Sequence, residues 1–208
     1  MPVKFRQAVI LVAIIVILDQ ALKCWVKTHM YIGQEYDIIG RWFRIQFIQN
    51  EGMAYGISFG AAAGKVFLTL LRLAAVVIGF IILKKLAIKK YPKGLMICGV
   101  LIIAGALGNL IDSMFYGLIF SASTTTQMAQ FLPSGGGYAG FLHGKVVDMF
   151  YFPIYQGILP SWIPLKGGQP FEFFQYVFNV SDASISIGVI AILMFQKRFF
   201  KRTPQRKT

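Results

Sequence analysis

The sequence predicts an α-helical membrane protein with four transmembrane helices, a small extracytoplasmic β-sheet region and an enlarged second outer loop, all within one domain over residues 1–208. Three observations carry this. Hydrophobic residues make up 56% of the chain and charged residues 14%, a balance foreign to a water-soluble globule. Four apolar runs, at about 8–27, 66–87, 95–115 and 183–200, approach or reach the roughly 20 residues that cross a bilayer core. Finally, residues 1–6, 84–93 and 197–207 hold 13 of the 21 Lys and Arg residues and no Asp or Glu. By the positive-inside rule those segments face the cytoplasm, so both termini are inside and residues 31–60 and 116–180 lie outside. The same segregation excludes nucleic acid as a partner despite the net charge of +13, because no polar face carries a basic stripe.

The first run follows Lys4 and Arg6 and is interrupted by Asp19, Gln20, Lys23 and Lys27. A signal-peptide core would not carry the i, i+4 pair Asp19 and Lys23, no small-x-small cleavage site follows, and Ala21-Leu22-Lys23-Cys24 is a poor lipobox. The run is therefore expected to persist as the first helix, with Asp19 and Lys23 as a helical ion pair. In residues 31–60, Phe43, Ile45 and Phe47 alternate with Arg44 and Gln46, the period of a half-buried strand with its three apolar residues on one face. Trp42 and Tyr55 suit a membrane interface, and Asn50-Glu51-Gly52 reads as a turn.

The second run carries Arg72, a buried cation that calls for an acidic partner. Pro92 and Gly94 separate it from the third, where Ala104 and Gly108 make a small-xxx-small pair for close helix packing. Residues 116–180 are Ser/Thr-rich at 121–127, glycine-rich at 134–140, then aromatic and proline-rich. The fourth run starts after Phe178-Asn179 and ends in a basic tail suited to lipid headgroups. Cys24 and Cys98 both fall within spans, which leaves neither a disulfide framework nor a thiolate metal site.

The chemistry on offer is carboxylate chemistry. Asn109-Leu110-Ile111-Asp112 and Asn179-Val180-Ser181-Asp182 each place an amide and an acid on one helical face, and Asp148 stands alone in Val146-Val147-Asp148-Met149-Phe150. An acid at membrane depth is costly and generally faces protein or water for a purpose. Two carboxylates held close in a poorly solvated place share a proton, so one can activate water while the other polarises a carbonyl. Competing motifs are weaker. Gly56-Ile57-Ser58-Phe59-Gly60 matches a nucleophile elbow, with Asp112 and His143 following, but the chain lacks the large sheet an elbow needs. Without an HExxH or a clustered His/Cys spacing no metal is expected, and no cofactor.

Five stretches, taken together, resemble the signature blocks of the lipoprotein signal peptidase (signal peptidase II) family. They are Asp19-x-x-x-Lys23, Asn50-Glu51-Gly52-Met53-Ala54-Tyr55, Gly105-x-x-Gly108-Asn109-x-x-Asp112, Val146-Val147-Asp148-x-Phe150 and Phe178-Asn179-x-x-Asp182-x-x-Ile185-x-x-Gly188. The resemblance implies a four-helix aspartic endopeptidase of the bacterial inner membrane that cuts prolipoproteins before the diacylglyceryl-modified cysteine. It implies Asp148 and Asp182 as the catalytic pair, with Asp19, Lys23, Asn50, Gly108, Asn109, Asp112 and Asn179 supporting the site. Its partners would be a lipidated prolipoprotein and membrane lipid, and the protein a monomer. Two positions depart from the family pattern: Ser113 stands where Arg is common, and Ser181 where Ala is usual.

The alternative is a small ion- or proton-coupled transporter that uses Asp112, Asp182 and Arg72 as a relay. Such a relay needs acids spread through the membrane, whereas the sequence places these at the outer ends of its spans. On the peptidase reading, the substrate's acyl chains stay in lipid while its scissile bond reaches the acids between the third and fourth helices. The glycine-rich segment 134–140 and Phe171, Phe173 and Phe174 are then expected to close over it.

Overall fold

The computed structural model describes residues 3–51, 61–164 and 167–200. The Ser58 elbow, the stretch Gly52 to Tyr55 and the tail from Lys201 lie outside the described residues. Four helices, α1 (Phe5–His29), α2 (Ala61–Ile88), α3 (Lys93–Ile119) and α4 (Val180–Phe199), are each long and apolar enough to cross a membrane, as the sequence requires. The helices overrun the apolar runs because hydrogen bonding carries them on into the polar boundary. In α3, Asp112 stands about 28 Å along the axis from the first residue at 1.5 Å per residue, near the far edge of a hydrocarbon layer roughly 30 Å thick.

The strands are β1 (Glu35–Ile39), β2 (Phe43–Asn50), β3 (Val146–Tyr151), β4 (Tyr155–Ile158), β5 (Pro170–Phe173) and β6 (Val177–Phe178). One antiparallel sheet has the order β1-β2-β3-β6, and β4 pairs with β5 in a separate hairpin. The central strand β3 comes from the long connection between α3 and α4, so Asn50 pairs with Val146 and Ile48 with Asp148 across about a hundred residues of chain. Asn50 thus ends a strand, which corrects its reading as the start of a turn.

The alternation of β2 breaks at a bulge. Ile45 pairs with Phe150 but Ile48 with Asp148, three residues of β2 against two of β3. Phe43, Ile45 and Phe47 therefore do not share one environment, contrary to the simple period-two reading. Phe47 is fully buried among Val26, Met30, Val147 and Met149, while Phe43 stays half-buried and stacks on Phe152 at 4.7 Å between ring centroids. The sheet is seated on the His29 end of α1 and the Ile119 end of α3.

Packing in the membrane centres on α3, the most buried helix. Ala104 joins Ala8, Val12 and Val16 of α1 in a core cluster, so it faces α1 and not the closest helix approach. That approach belongs to Gly105 and Gly188: a methyl on Gly105 would fall on the Ser181 carbonyl and 2.7 Å from Ile185 Cγ1, and one on Gly188 2.9 Å from the Cys98 carbonyl. The small-xxx-small pair Ala104 and Gly108 lies against α1, Ala104 in the cluster with Ala8, Val12 and Val16 and Gly108 beside Asp19, and Gly108 meets Ser181 of α4 as well.

The glycine-rich segment is a strap along the end of α3. Tyr138 N–H donates to the Phe120 carbonyl (3.0 Å), Ala139 to Gly117 (3.0 Å), Leu142 to Met114 (3.2 Å) and Gly144 to Ser113 (2.9 Å). The Gly117 bond satisfies a carbonyl that the helix end leaves open. Within the expected lid 134–140, Tyr138 and Ala139 are in this way bonded to the end of α3.

Candidate active site

Local chemistry starts the site at the mouth of α4. Asn179 is the N-cap: its Oδ1 accepts from Asp182 N–H (2.9 Å) and the Asp182 carboxylate reaches back to Asn179 N–H (3.4 Å), a reciprocal capping box. Because the cap uses the carbonyl end of the amide, Nδ2 must point the other way. It donates to Asp148 Oδ1 (2.7 Å), Asn109 Oδ1 (3.2 Å) and the Val147 carbonyl (3.3 Å). One residue thereby ties the start of α4 to β3.

Asn109 is oriented by a buried cation. Lys23, wholly buried, aims its ammonium at three oxygens: Asp19 Oδ2, Asp112 Oδ2 and Asn109 Oδ1, each at 2.8 Å. Three donors meet three acceptors. With its oxygen held by Lys23, Asn109 turns Nδ2 towards Asp182 Oδ1 (2.8 Å). Asp19 and Lys23 are an ion pair as expected, but the pair is part of a larger cluster that includes Asp112.

Asp112 is a strut. Its carboxylate accepts from Gln20 (2.8 Å), from Lys23 and from Val147 N–H (3.4 Å), which joins α1, α3 and β3 and holds β3 one residue from Asp148. Asp19 does the same for α4 by accepting Ser181 N–H (2.9 Å). Gly108 is the residue that admits these contacts, since a methyl there would fall on Ser181 Oγ and 2.6 Å from Asp19 Oδ2. Asn50, at the end of β2, donates to Asp148 Oδ2 (3.3 Å).

The acids separate into two groups. Asp19 and Asp112 share the single charge of Lys23, whereas Asp148 and Asp182 take hydrogen bonds from Asn50, Asn109 and Asn179. Asp148 is 4% exposed. Burial, and next the charge of Asp182, push its carboxyl up to about 7, against the smaller opposing pull of the Asn50 and Asn179 amides. Asp182 is partly exposed, so the pair is open to solvent on the α4 side.

Sequence reasoning overlooked two contributors. Gln20 bridges Asp19 (3.2 Å), Asp112 and the Gly108 carbonyl (3.2 Å), and its oxygen accepts from Tyr116 Oη (3.1 Å). The available signal was a third polar residue beside Asp19 in an otherwise apolar run. Glu51 pairs with Lys145 (2.8 Å) and Lys65 (3.0 Å), contacts that hold its carboxyl below the usual range, the Lys145 hydrogen bond foremost. Arg72, expected to seek an acid, donates to Ser113 Oγ (3.0 Å) within electrostatic reach of Asp182, Asp112 and Asp148. A guanidinium from α2 thus reaches the position next to Asp112 where Ser113 departs from the family pattern.

Fold and site define a multi-pass membrane protein that holds two carboxylates together beside a buried Lys23, Asp19 and Asp112 cluster. The sequence profile of signal peptidase (SPase) II matches residues 11–198. A lipoprotein signal peptidase of Porphyromonas gingivalis is 48% identical over 189 residues, covering 90% of this chain and 81% of that protein. One of Amoebophilus asiaticus is 35% identical over 195 residues, covering 92% and 78%. Among solved structures, a bacterial membrane enzyme determined in meso at 2.3 Å superposes with a TM-score of 0.60 at 25% identity, covering 100% of this chain and 99% of that one. The chain belongs to the signal peptidase II family of proteases.

Proposed function

We propose that the protein is an aspartic endopeptidase that removes signal peptides from prolipoproteins by cutting before the diacylglyceryl-modified cysteine, with Asp148 and Asp182 as the catalytic pair. The observation that carries this is that the Asn109 and Asn179 amides bring the Asp182 and Asp148 carboxyls to one site at the mouth of α4. Asp148 is buried beside the Asp182 charge and holds its proton near neutral pH, while Asp182 lies in the first turn of α4, where a helix favours negative charge.

Asp182 therefore serves as base. It takes a proton from water, the resulting hydroxide oxygen bonds to the scissile carbonyl carbon, and the Asp148 proton passes to the carbonyl oxygen to give a neutral tetrahedral diol. When the C–N bond breaks, the proton on Asp182 goes to the departing amine and a diol proton returns to Asp148. Asn109 and Asn179 hold both carboxylates throughout, which keeps the reacting groups in register.

The charge pattern supports an inner (cytoplasmic) membrane protein with both termini in the cytoplasm and the acids at the outer face. The transporter reading fares worse, because residues 1–18, 52–111 and 183–208 contain no Asp or Glu to carry a relay inward. Of the expected lid, the aromatic part remains available: Phe174 packs edge-on against Phe178, beside Asn179, with centroids 6.1 Å apart. Asp148→Asn and Asp182→Asn are each expected to abolish cleavage of a lipidated prolipoprotein in detergent or vesicles while the protein stays folded and inserted. Full turnover in either variant would refute the assignment.

A further inference from the structure

At the end of the bundle opposite the acids, a cleft of about 930 Å³ lies between the start of α1 and the α2–α3 connection. Lys4, Lys90 and Lys93 line it, with Ile10, Leu11 and Ala87 as apolar wall. This end of the chain supplies no anion to balance the three ammonium groups, since residues 1–18, 52–111 and 183–208 are free of Asp and Glu, and such a cluster attracts anionic headgroups. Both helices that begin here add to the field. The first turns of α1 and α3 contain no acidic residue, and neither Lys4 nor Pro92 caps its helix with a side-chain acceptor. Their open N–H groups and dipole ends favour negative charge.

Lys90 supplies an independent sign. Its φ is 53°, a left-handed conformation at the end of α2 that glycine adopts with less strain. Its N–H donates to the Ala87 carbonyl (3.1 Å) and Tyr91 N–H to Leu86 (3.1 Å), closing the helix as a glycine would. A lysine held there keeps its ammonium at the cleft at a cost in backbone strain.

We propose that this cleft binds the phosphate headgroup of an anionic phospholipid of the cytoplasmic leaflet, with the acyl chains running down α1. The choice of a lipid over free phosphate follows from the wall. Ile10 and Leu11 are 48% and 40% exposed and continue into exposed Ile14, Ile17 and Leu18 on the lipid-facing surface of α1, so headgroup and chains find complementary surface in one line.

The test is native mass spectrometry of the whole protein in detergent, offered equal phosphatidylglycerol and phosphatidylcholine. Wild type is expected to retain the anionic lipid about tenfold in preference, from several lysines near one headgroup. The variant K4Q/K90Q/K93Q is expected to bring the ratio close to one, and R41Q, in the β1–β2 turn at the opposite end of the molecule, to leave it high. K90G relieves the backbone and should melt no lower than wild type while its preference falls, which separates lipid binding from folding. Equal retention of both lipids by wild type, or an equal fall in R41Q, overturns the site. So does millimolar inorganic phosphate stabilising the protein as well as phosphatidylglycerol does.

Discussion

The raised Asp148 carboxyl sets a pH dependence that can be worked out in advance. With the Asp148 carboxyl at about 7, the singly protonated pair falls to roughly one tenth of the total at pH 8 and one hundredth at pH 9. The kcat/KM for a lipidated prolipoprotein, measured in one detergent across pH 6–9, is expected to fall tenfold per unit along its alkaline limb. Asn50 donates to Asp148 and pulls its carboxyl down, so Asn50→Ala should move the limb to higher pH. Stability carries the same signature. The folded chain keeps a proton on Asp148 that the unfolded chain releases, so the contribution of this group is full below the unfolded value of 3.8 and is lost as pH rises towards 7. Three units at about 1.4 kcal/mol each set an upper limit of roughly 4 kcal/mol. Asp148→Asn cannot titrate, so the difference in thermal melting between wild type and this variant in detergent should shift against wild type as pH rises through that window. A flat activity profile for wild type, or an alkaline limb that moves to lower pH in Asn50→Ala, would refute the reasoning.

Other perturbations address the scaffold. Lys23→Met leaves Asp19 and Asp112 buried without a counter-ion and is expected to cost about 3–5 kcal/mol in unfolding experiments; a loss under about 1 kcal/mol would mean the cluster does not hold the helices together. Gly108→Ala forces a methyl against Ser181 and Asp19 at an expected cost of about 1–3 kcal/mol, with turnover falling further because α4 carries Asp182. Gly135→Ala, with open space around it, should stay within about 0.5 kcal/mol of wild type and serves as the control.

The strap and the bulge show where pattern reading stops. A glycine-rich run between spans reads as mobile from composition, yet the backbone of 138–144 is fastened to the end of α3. That outcome depends on which carbonyls the helix leaves open once its neighbours are in place. Likewise, Phe43, Ile45 and Phe47 announce a strand, but the bulge opposite β3 decides that Phe47 is buried and Phe43 is not.

What the sequence determined by itself was local: four helices from apolar runs, and an amide and an acid on one face at the start of α4 from Asn179 three residues before Asp182. Each depends on residues a few positions apart, and helical and strand periods make such spacings legible. Tertiary structure alone decided that β3 joins β2, that Lys23 serves Asp19, Asp112 and Asn109 together, and that the Asn109 and Asn179 amides point their donors at Asp182 and Asp148. An amide has two ends, and which end faces the acid follows from what captures the other. Those captors, Lys23 for Asn109 and the helix N-terminus for Asn179, become visible only once distant segments have packed.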